Sequence, residues 1–505
     1  MDTEILPSGE NVIGCVYTPS EWAKWLISKY NIYSDWQSGK SVCDPTGGEG
    51  IFIISLLELA VESKVAIDDA SLSRLGYIEI DQNAFKTFSA KLCNRFKIEI
   101  SKLHAYCSDV IIDCPNEKFD ILCGNPPWCN FTELPESYKE KIKPHFIKHG
   151  LVPNLRNVLL GSTRTDICAL ILNVTLGKLL KQRGKAYFYI PTSLFFGDDA
   201  HRGFREFKTM DRDFSIMNVY EFSTTKVFDG VGTAYCAASF SIDKQNDFPI
   251  EYFREMGGDW TNWHARPFKS ATDPWRIMEA GSSFNLNISV NIALSQMPRQ
   301  GVNTCGANDI FFFDEMPDEI PNKYIFPLTT SDVWKSNNSN PTPKKWVLLP
   351  YNQATGRPLS PSELLNEHGL HTYLSRHKEI LLNRKGTLIQ SAIKKGLWWS
   401  LLGVGTYSFA PYKIIWQSFG SKKFDPIILG DYENRLWQGN QSMNAFIPSW
   451  NKADAIRIRN ELQNPDIQSA LISLNGGGKC NWAQPGKIKK VLQVNEDHGK
   501  QLSIF

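Results

Sequence analysis

Short apolar runs that stop abruptly at turn residues alternate with helix-like stretches through the first 245 residues. Helical spacing places Trp22, Trp25, Leu26 and Lys29 on Glu21–Tyr30. The run Val42–Cys43 leads into Asp44-Pro45-Thr46-Gly47-Gly48-Glu49-Gly50, and an apolar helix over Ile51–Ala60 follows. Leu75–Ile80 then reads as a strand, Gln82–Phe96 as a helix and Leu103–Cys107 as a strand. Phe119–Cys123 is a further short apolar run, Asp166–Gln182 a long helix and Lys185–Ile190 a buried strand. Strands separated by helices require βαβ crossovers, so the sequence predicts an α/β fold with a mostly parallel, doubly wound sheet. Cys129–Arg164, rich in Lys, Pro and His, breaks the rhythm and predicts an inserted helical or loop segment beside the site. After Ser241 the alternation fades, and Ser336–Pro343 is the clearest linker-like tract.

With 505 residues, 42% of them hydrophobic and 21% charged, disorder and a small disulfide scaffold are excluded. No apolar run approaches the roughly 18 residues of a spanning helix, and the polar, acidic start is unlike a signal peptide. The net charge of +2 conceals two opposed parts. Residues 1–340 carry a balance of −8 and residues 341–505 one of +10, with seven of the fifteen tryptophans in the latter. A basic, aromatic C-terminal part suits a polyanion, although a solvated surface on an ordinary domain has the same charge. The eleven cysteines form no CxxC pair and no histidine completes a zinc spacing. Reduced thiols in a cytoplasmic protein without a metal site are therefore expected.

Asp44–Gly50 sits where a strand hands over to a helix, so its glycines let backbone approach a ligand beside free helix N–H groups. A tight structural turn would use the same residues. Glu79 ends the next strand, where a carboxylate can accept both hydroxyls of a ribose. The turn does not match GxGxxG and the spacing to Glu79 is long for a dinucleotide site. S-adenosylmethionine, which has a ribose and an adenine but no phosphate, suits these residues better. Asp109 follows the third strand, where it can take a hydrogen bond from an adenine amino group.

Asn125-Pro126-Pro127-Trp128 falls at the end of the fourth apolar run, and open parallel sheets bind ligands at such carboxyl ends. A ring amine is a poor nucleophile because its lone pair is delocalised. The Asn125 amide oxygen and the Pro126 carbonyl can each accept one amino N–H, which localises the lone pair and aims it at a methyl group. Pro126 and Pro127 stiffen the turn. Trp128 offers a flat face on which a base can stack, worth about 1–3 kcal/mol.

These segments, in this order, resemble the N6-adenine DNA methyltransferases of the gamma class, similar to the TaqI-type enzymes. Val16-Tyr17-Thr18-Pro19 matches the motif that contacts the methionine part of the cofactor. Asp44–Gly50, with Asp44, Thr46, Gly48 and Gly50, matches the glycine motif; Glu79-Ile80-Asp81 matches the ribose motif, and Asp109 the adenine-contacting position. Asn125, Pro126, Pro127 and Trp128 match the catalytic motif, with Trp128 where the family more often has Tyr or Phe. Thr165-Asp166-Ile167 and Tyr189-Ile190-Pro191-Thr192-Ser193 resemble the two motifs that follow. Phe228 matches the aromatic that braces a flipped base opposite the catalytic aromatic.

The resemblance implies a Rossmann-like catalytic domain over residues 1–259 and a mixed α+β DNA target-recognition domain over residues 260–505. In the second, Gln300–Asp309, Leu349–Tyr351, Tyr373–Lys378 and Lys413–Trp416 resemble family segments more loosely. Lys394, Lys395, Lys422, Lys423, Lys487, Lys489 and Lys490 are candidate phosphate contacts. The implied reaction moves a methyl group from S-adenosylmethionine, leaving S-adenosylhomocysteine, to N6 of an adenine flipped out of duplex DNA. It needs no metal and no cysteine nucleophile. The implied partners are double-stranded DNA with a specific recognition sequence and a separately encoded restriction endonuclease, with no membrane. Two other readings stand beside it: an RNA-base or protein-glutamine methyltransferase using the same tetrapeptide, and a catalytically silent DNA-binding module.

Overall fold

The computed structural model describes residues 16–152, 165–197, 199–279, 289–334, 341–418, 424–441, 443–474 and 483–495. Its contacts divide the chain into two units, residues 1–283 and 284–505. The division therefore falls later than residue 259, because residues 259–279 continue the sheet of the first unit.

That sheet has ten strands: β1 (Val42–Asp44), β2 (Leu75–Glu79), β3 (His104–Cys107), β4 (Phe119–Gly124) and β5 (Leu180–Pro191), then β6 (Phe214–Glu221), β7 (Tyr235–Ile242), β8 (Ile250–Met256), β9 (Asp259–Pro267) and β10 (Trp275–Glu279). They lie in the order β10-β9-β8-β6-β7-β5-β4-β1-β2-β3. β1 pairs in parallel with both β2 and β4, and from that pair the chain winds outward in both directions. This is the switch point at which such sheets open a crevice. Beyond β5 the sheet becomes mixed rather than mostly parallel, because β7 enters antiparallel to both β5 and β6.

Period-2 alternation puts successive residues of each central strand into different cores. Val42, Ile121, Cys123, Tyr187 and Tyr189 join one cluster with Leu26, Leu56 and Phe88 from the helices Ser20–Lys29, Ile51–Glu62 and Gln82–Phe96. Cys43, Leu122, Ala186 and Phe188 join the other, with Phe146 and Leu172 from the helices Glu136–Lys148 and Ile167–Leu179. The sheet is thus covered on both faces. The last helix stops at Leu179 rather than Gln182, and Leu180 already begins β5. Arg212 explains the early stop: its guanidinium donates to the carbonyls of Gly177, Leu180 and Lys181, which further helical turns do not satisfy.

The second unit is mixed α+β. Tyr412–Gln417 is the centre of a four-stranded sheet with Asn444–Ser449 and Ile427–Leu429 on either side. Val290–Ala293 pairs in parallel with Leu492–Asn495, tying the two ends of the described unit together. Buried Arg384 donates to the carbonyls of Leu381, Thr304, Ser400 and Trp398, and so knots three backbone segments around one guanidinium. Lys394, Lys395 and Lys489 are exposed, whereas Lys487 donates to Leu474 O at 3.2 Å; Lys422 and Lys423 lie outside the described residues. Among the described residues no helix is long and apolar enough to cross a membrane.

Candidate active site

At the carboxyl ends of β1, β2 and β4 the first unit encloses a cavity of about 490 Å³, within the range of small-molecule sites. The turn after β1 forms one wall. Gly47 N–H donates to Ile78 O at 2.9 Å, and a Cβ on Gly47 would strike the Tyr77 ring. Gly48, at φ +51°, faces open space in the cavity. Gly50, at φ +82°, precedes the helix Ile51–Glu62 and packs on Phe88; it shapes the turn and does not line the cavity.

The acids stand where their strands end. Asp44 is buried and accepts one hydrogen bond, from Thr46 N–H at 3.2 Å. Burial pushes its carboxyl up to about 8, the Thr46 bond opposes this, and the charge of Glu79 adds to the lift. Glu79 accepts from Gly48 N–H and Asp81 N–H, each at 2.7 Å, one on each oxygen, which turns its remaining lone pairs toward the cavity. Burial raises Glu79 as well, against the pull of those amides. Two buried acids on one cavity favour a ligand that brings positive charge.

Asp109, on the same cavity, accepts from Ile111 N–H at 2.8 Å and from the Tyr138 hydroxyl at 3.0 Å. Ile80, Val110, Ile111, Pro127, Leu134 and Ile171 give the cavity apolar walls. Burial, with Asp109 beside it, lifts the Tyr138 phenol far above its ordinary range, so it stays a donor. Tyr138 comes from the inserted segment, on the helix Glu136–Lys148, and sequence reasoning missed it. Only its position shortly after the proline-rich turn could have hinted at it.

Asn125 follows β4 directly. Its Nδ2 donates to Val16 O at 3.0 Å and to Thr18 Oγ1 at 3.2 Å, while its Oδ1 is buried without a partner. An amide can be reversed end for end, and these contacts decide between the two orientations. A backbone carbonyl only accepts, so Val16 O must meet the NH₂ end and Oδ1 is left as the free acceptor. Val16, Thr18, Asp44, Thr46, Gly48, Glu79, Ile80, Asp109, Asn125 and Pro127 all line the cavity. Gly124, another residue missed, makes this possible: a Cβ there would collide with the Asp44 carboxylate.

Buried Pro126 and half-buried Trp128 do not line it. The Trp128 indole N–H donates to Tyr189 O at 3.3 Å, and the ring lies at 29° to Tyr235 with centroids 5.6 Å apart. Phe228 meets Trp128 edge to face at 5.1 Å and 90°, so the two rings touch with no space for a third between them. The segment beyond Trp128 is held by Asp166, whose Oδ1 accepts from Cys129 N–H at 3.2 Å and Cys168 N–H at 2.8 Å. Burial pushes that carboxyl up to about 7, against the pull of both amides.

Residues 76–228 match the family described as the Eco57I restriction-modification methylase. The fold is similar to that of the type IIL restriction-modification enzyme MmeI in complex with DNA, with a TM-score of 0.51 and 13% identity over 85% of this chain and 60% of that one. It is also similar to the DrdV–DNA complex, with a TM-score of 0.50 and 12% identity over 86% of this chain and 49% of that one. The chain thus spans less than two thirds of the length of either enzyme. No curated protein matches it.

Proposed function

We propose that this chain transfers a methyl group from S-adenosylmethionine to N6 of an adenine rotated out of duplex DNA, as the modification enzyme of a restriction-modification system. The observation that carries the reading is the Asn125 amide: its donor end is fully used, its acceptor is buried without a partner, and the residue lines a cavity with Asp44, Glu79 and Asp109. The cavity fits the cofactor on its own chemistry. Glu79 is oriented for ribose hydroxyls, Asp109 and the apolar walls for adenine, and the buried acids for the cationic methionine end.

Bound S-adenosylmethionine supplies an electrophilic methyl group on a positively charged sulfur. Asn125 Oδ1 accepts one N–H of the substrate amine and the Pro126 carbonyl accepts the other, which concentrates the lone pair on nitrogen. Such placed acceptors act on charge that develops in the transition state, where losing one lowers turnover about 10²–10³-fold. The proton leaves the amine after transfer, so no strong base is needed. Trp128 offers the stacking face, and Phe228 must swing off it for a base to enter. The amine is unreachable inside a stacked duplex, which is why the base leaves it. The second unit, residues 284–505, is the proposed reader of the DNA sequence, with a restriction nuclease as functional partner. The Eco57I methylase match and the basic residues 341–505 support DNA as the acceptor.

The test is Asn125→Ala. The variant should bind S-adenosylmethionine with near-parental affinity and lose transfer to duplex DNA at least about 100-fold; undiminished transfer would refute the mechanism. Labelled-methyl competition among duplex DNA, RNA and protein checks the acceptor. Preference for RNA or a glutamine side chain would replace DNA, and absent cofactor binding would leave a silent DNA-binding module.

A further inference from the structure

β8, β9 and β10 extend the sheet past β6, away from the cavity strands, and the mechanism above does not use them. β8 pairs in parallel with β6 through Asn218–Glu221 against Glu251–Arg254. The next residue on β8, Glu255, therefore stands beside the point where β6 gives way to the stretch carrying Phe228. Glu255 is only 3% exposed, and that stretch satisfies its carboxylate. Oε2 accepts from Thr224 N–H at 3.1 Å and Thr225 N–H at 2.8 Å. Oε1 accepts from the Thr224 and Thr225 hydroxyls at 2.8 and 2.5 Å. The Ser223 hydroxyl adds a bond to Glu255 O. Burial raises this carboxyl, yet the bonds from Thr225 and Thr224 outweigh it and hold the group at about 2, ionised throughout the working range.

The clamp is confined to one end of the stretch. Just beyond it, the Tyr235 hydroxyl accepts from Val227 N–H at 2.8 Å and donates to Thr225 O at 3.3 Å, and the Tyr235 ring packs against Phe228 at 5.0 Å. Past Phe228 the chain has Gly230 at φ +72° and Gly232, and neither has a heavy atom near its missing Cβ. The chain before Phe228 is thus anchored to the sheet, while the two glycines after it have open space where a side chain would stand. Holding a chain turn does not require a buried carboxylate; four charge-assisted bonds to two consecutive residues give stiffness and a defined direction.

We propose that Glu255 is a positioning residue for Phe228. It fixes the approach of that ring to Trp128, while the glycine side lets the ring yield when a base enters. The sheet extension β8–β10 is then the mount that carries this anchor. The inference rests on the proposed function, because it assigns Glu255 to the grip on the flipped base.

The experiment uses the full chain with two duplexes. One has 2-aminopurine at the target adenine, which brightens when unstacked and reads base flipping. The other has the ordinary adenine, whose N6 amine accepts the methyl group and reads turnover. Glu255→Gln replaces one accepting oxygen with a donor that faces donors. It should cut the base-flipping signal and kcat/KM for DNA about tenfold or more, at unchanged cofactor affinity. Glu255→Asp, which retains the charge, should restore part of both. In a Phe228→Ala background Glu255→Gln should add little, since its effect passes through that ring. If Glu255→Gln does not fold, Thr225→Val removes one donor, leaves the carboxylate in place and should shift both readouts in the same direction. A parent that methylates DNA beside an unaltered Glu255→Gln, or full additivity with Phe228→Ala, would overturn the inference alone. A parent with neither cofactor binding nor a base-flipping response would overturn the proposed function, and the inference with it.

Discussion

Asp44→Asn should stabilise the cofactor-free protein, and the gain should grow as pH rises. Asp44 is buried and is pushed up to about 8 from the 3.8 of an ordinary aspartate. Below pH 4 it is protonated in both folded and unfolded chains and costs nothing. Between about pH 4 and 8 the unfolded chain releases the proton and the folded one keeps it, so stability falls as pH rises. Each pH unit is worth about 1.4 kcal/mol, hence about 4 kcal/mol by pH 7, and relaxation around the site should reduce that to about 2. Asparagine has the same shape, can keep the Thr46 amide bond through Oδ1, and has no proton to lose. The assay is thermal unfolding of parent and variant without cofactor at pH 5, 6, 7 and 8. A gain of about 2 kcal/mol should appear as several degrees at pH 7 and vanish toward pH 4. Asp166 and Glu221, also raised by burial, occur in both proteins and drop out of the difference, whereas the charge of Glu79, which adds to the lift on Asp44, is part of the effect. The same variant should bind S-adenosylmethionine more weakly, because the acid that destabilises the empty fold is the one that would meet the cationic ligand. A difference that does not vary with pH, or one that favours the parent, would refute the argument: Asp44 would then be ionised in the empty cavity.

Other substitutions test separate parts of the structure. Tyr138→Phe removes the hydroxyl that holds Asp109 and should weaken cofactor binding about 2- to 10-fold by calorimetry, with little change in unfolding temperature. Gly124→Ala should impair folding or cofactor binding despite its small size, because its methyl group meets the Asp44 carboxylate; near-parental cofactor affinity would contradict this. Lys413 is buried, and burial pushes its ammonium down to about 7, so it opposes folding most below pH 7 and progressively less toward pH 10. Lys413→Met should therefore raise the unfolding temperature at pH 7, by an amount that shrinks as pH rises. Neutralising Lys394, Lys395 and Lys489 should flatten the salt dependence of DNA binding by about 0.9 for each phosphate that a lysine no longer neutralises, measured by titration at several salt concentrations.

Much of the first unit was legible because its signals are local. The predicted helix Gln82–Phe96 is reproduced residue for residue, since its apolar spacing and its Asp81 cap lie within the segment. β1, β2 and β4 end where turn residues begin. The second unit was less legible: its strands are short and pair over long separations, as Tyr412–Gln417 does with Asn444–Ser449. For the same reason the sequence reading places residues 260–279 with the second domain, whereas β9 and β10 continue the first sheet. β9 pairs with β8 and β10 with β9, and nothing within residues 259–279 signals that they complete the first sheet.

By itself the sequence determined which chemistry-bearing residues stand at strand ends, because alternation and turn residues act over a few positions. Asp44, Glu79, Asp109 and Asn125 belong to this class. What only the tertiary structure decided is which atom each of them presents. The Asn125 acceptor is left unpartnered because Val16 O, 109 residues earlier, claims the donor end. Asp109 is engaged by Tyr138 on an inserted helix, and Thr224 and Thr225, just before Phe228, are held by Glu255 on a strand outside the cavity. A side chain's hydrogen-bonding direction depends on partners that the chain brings together only by folding, so no local pattern encodes it.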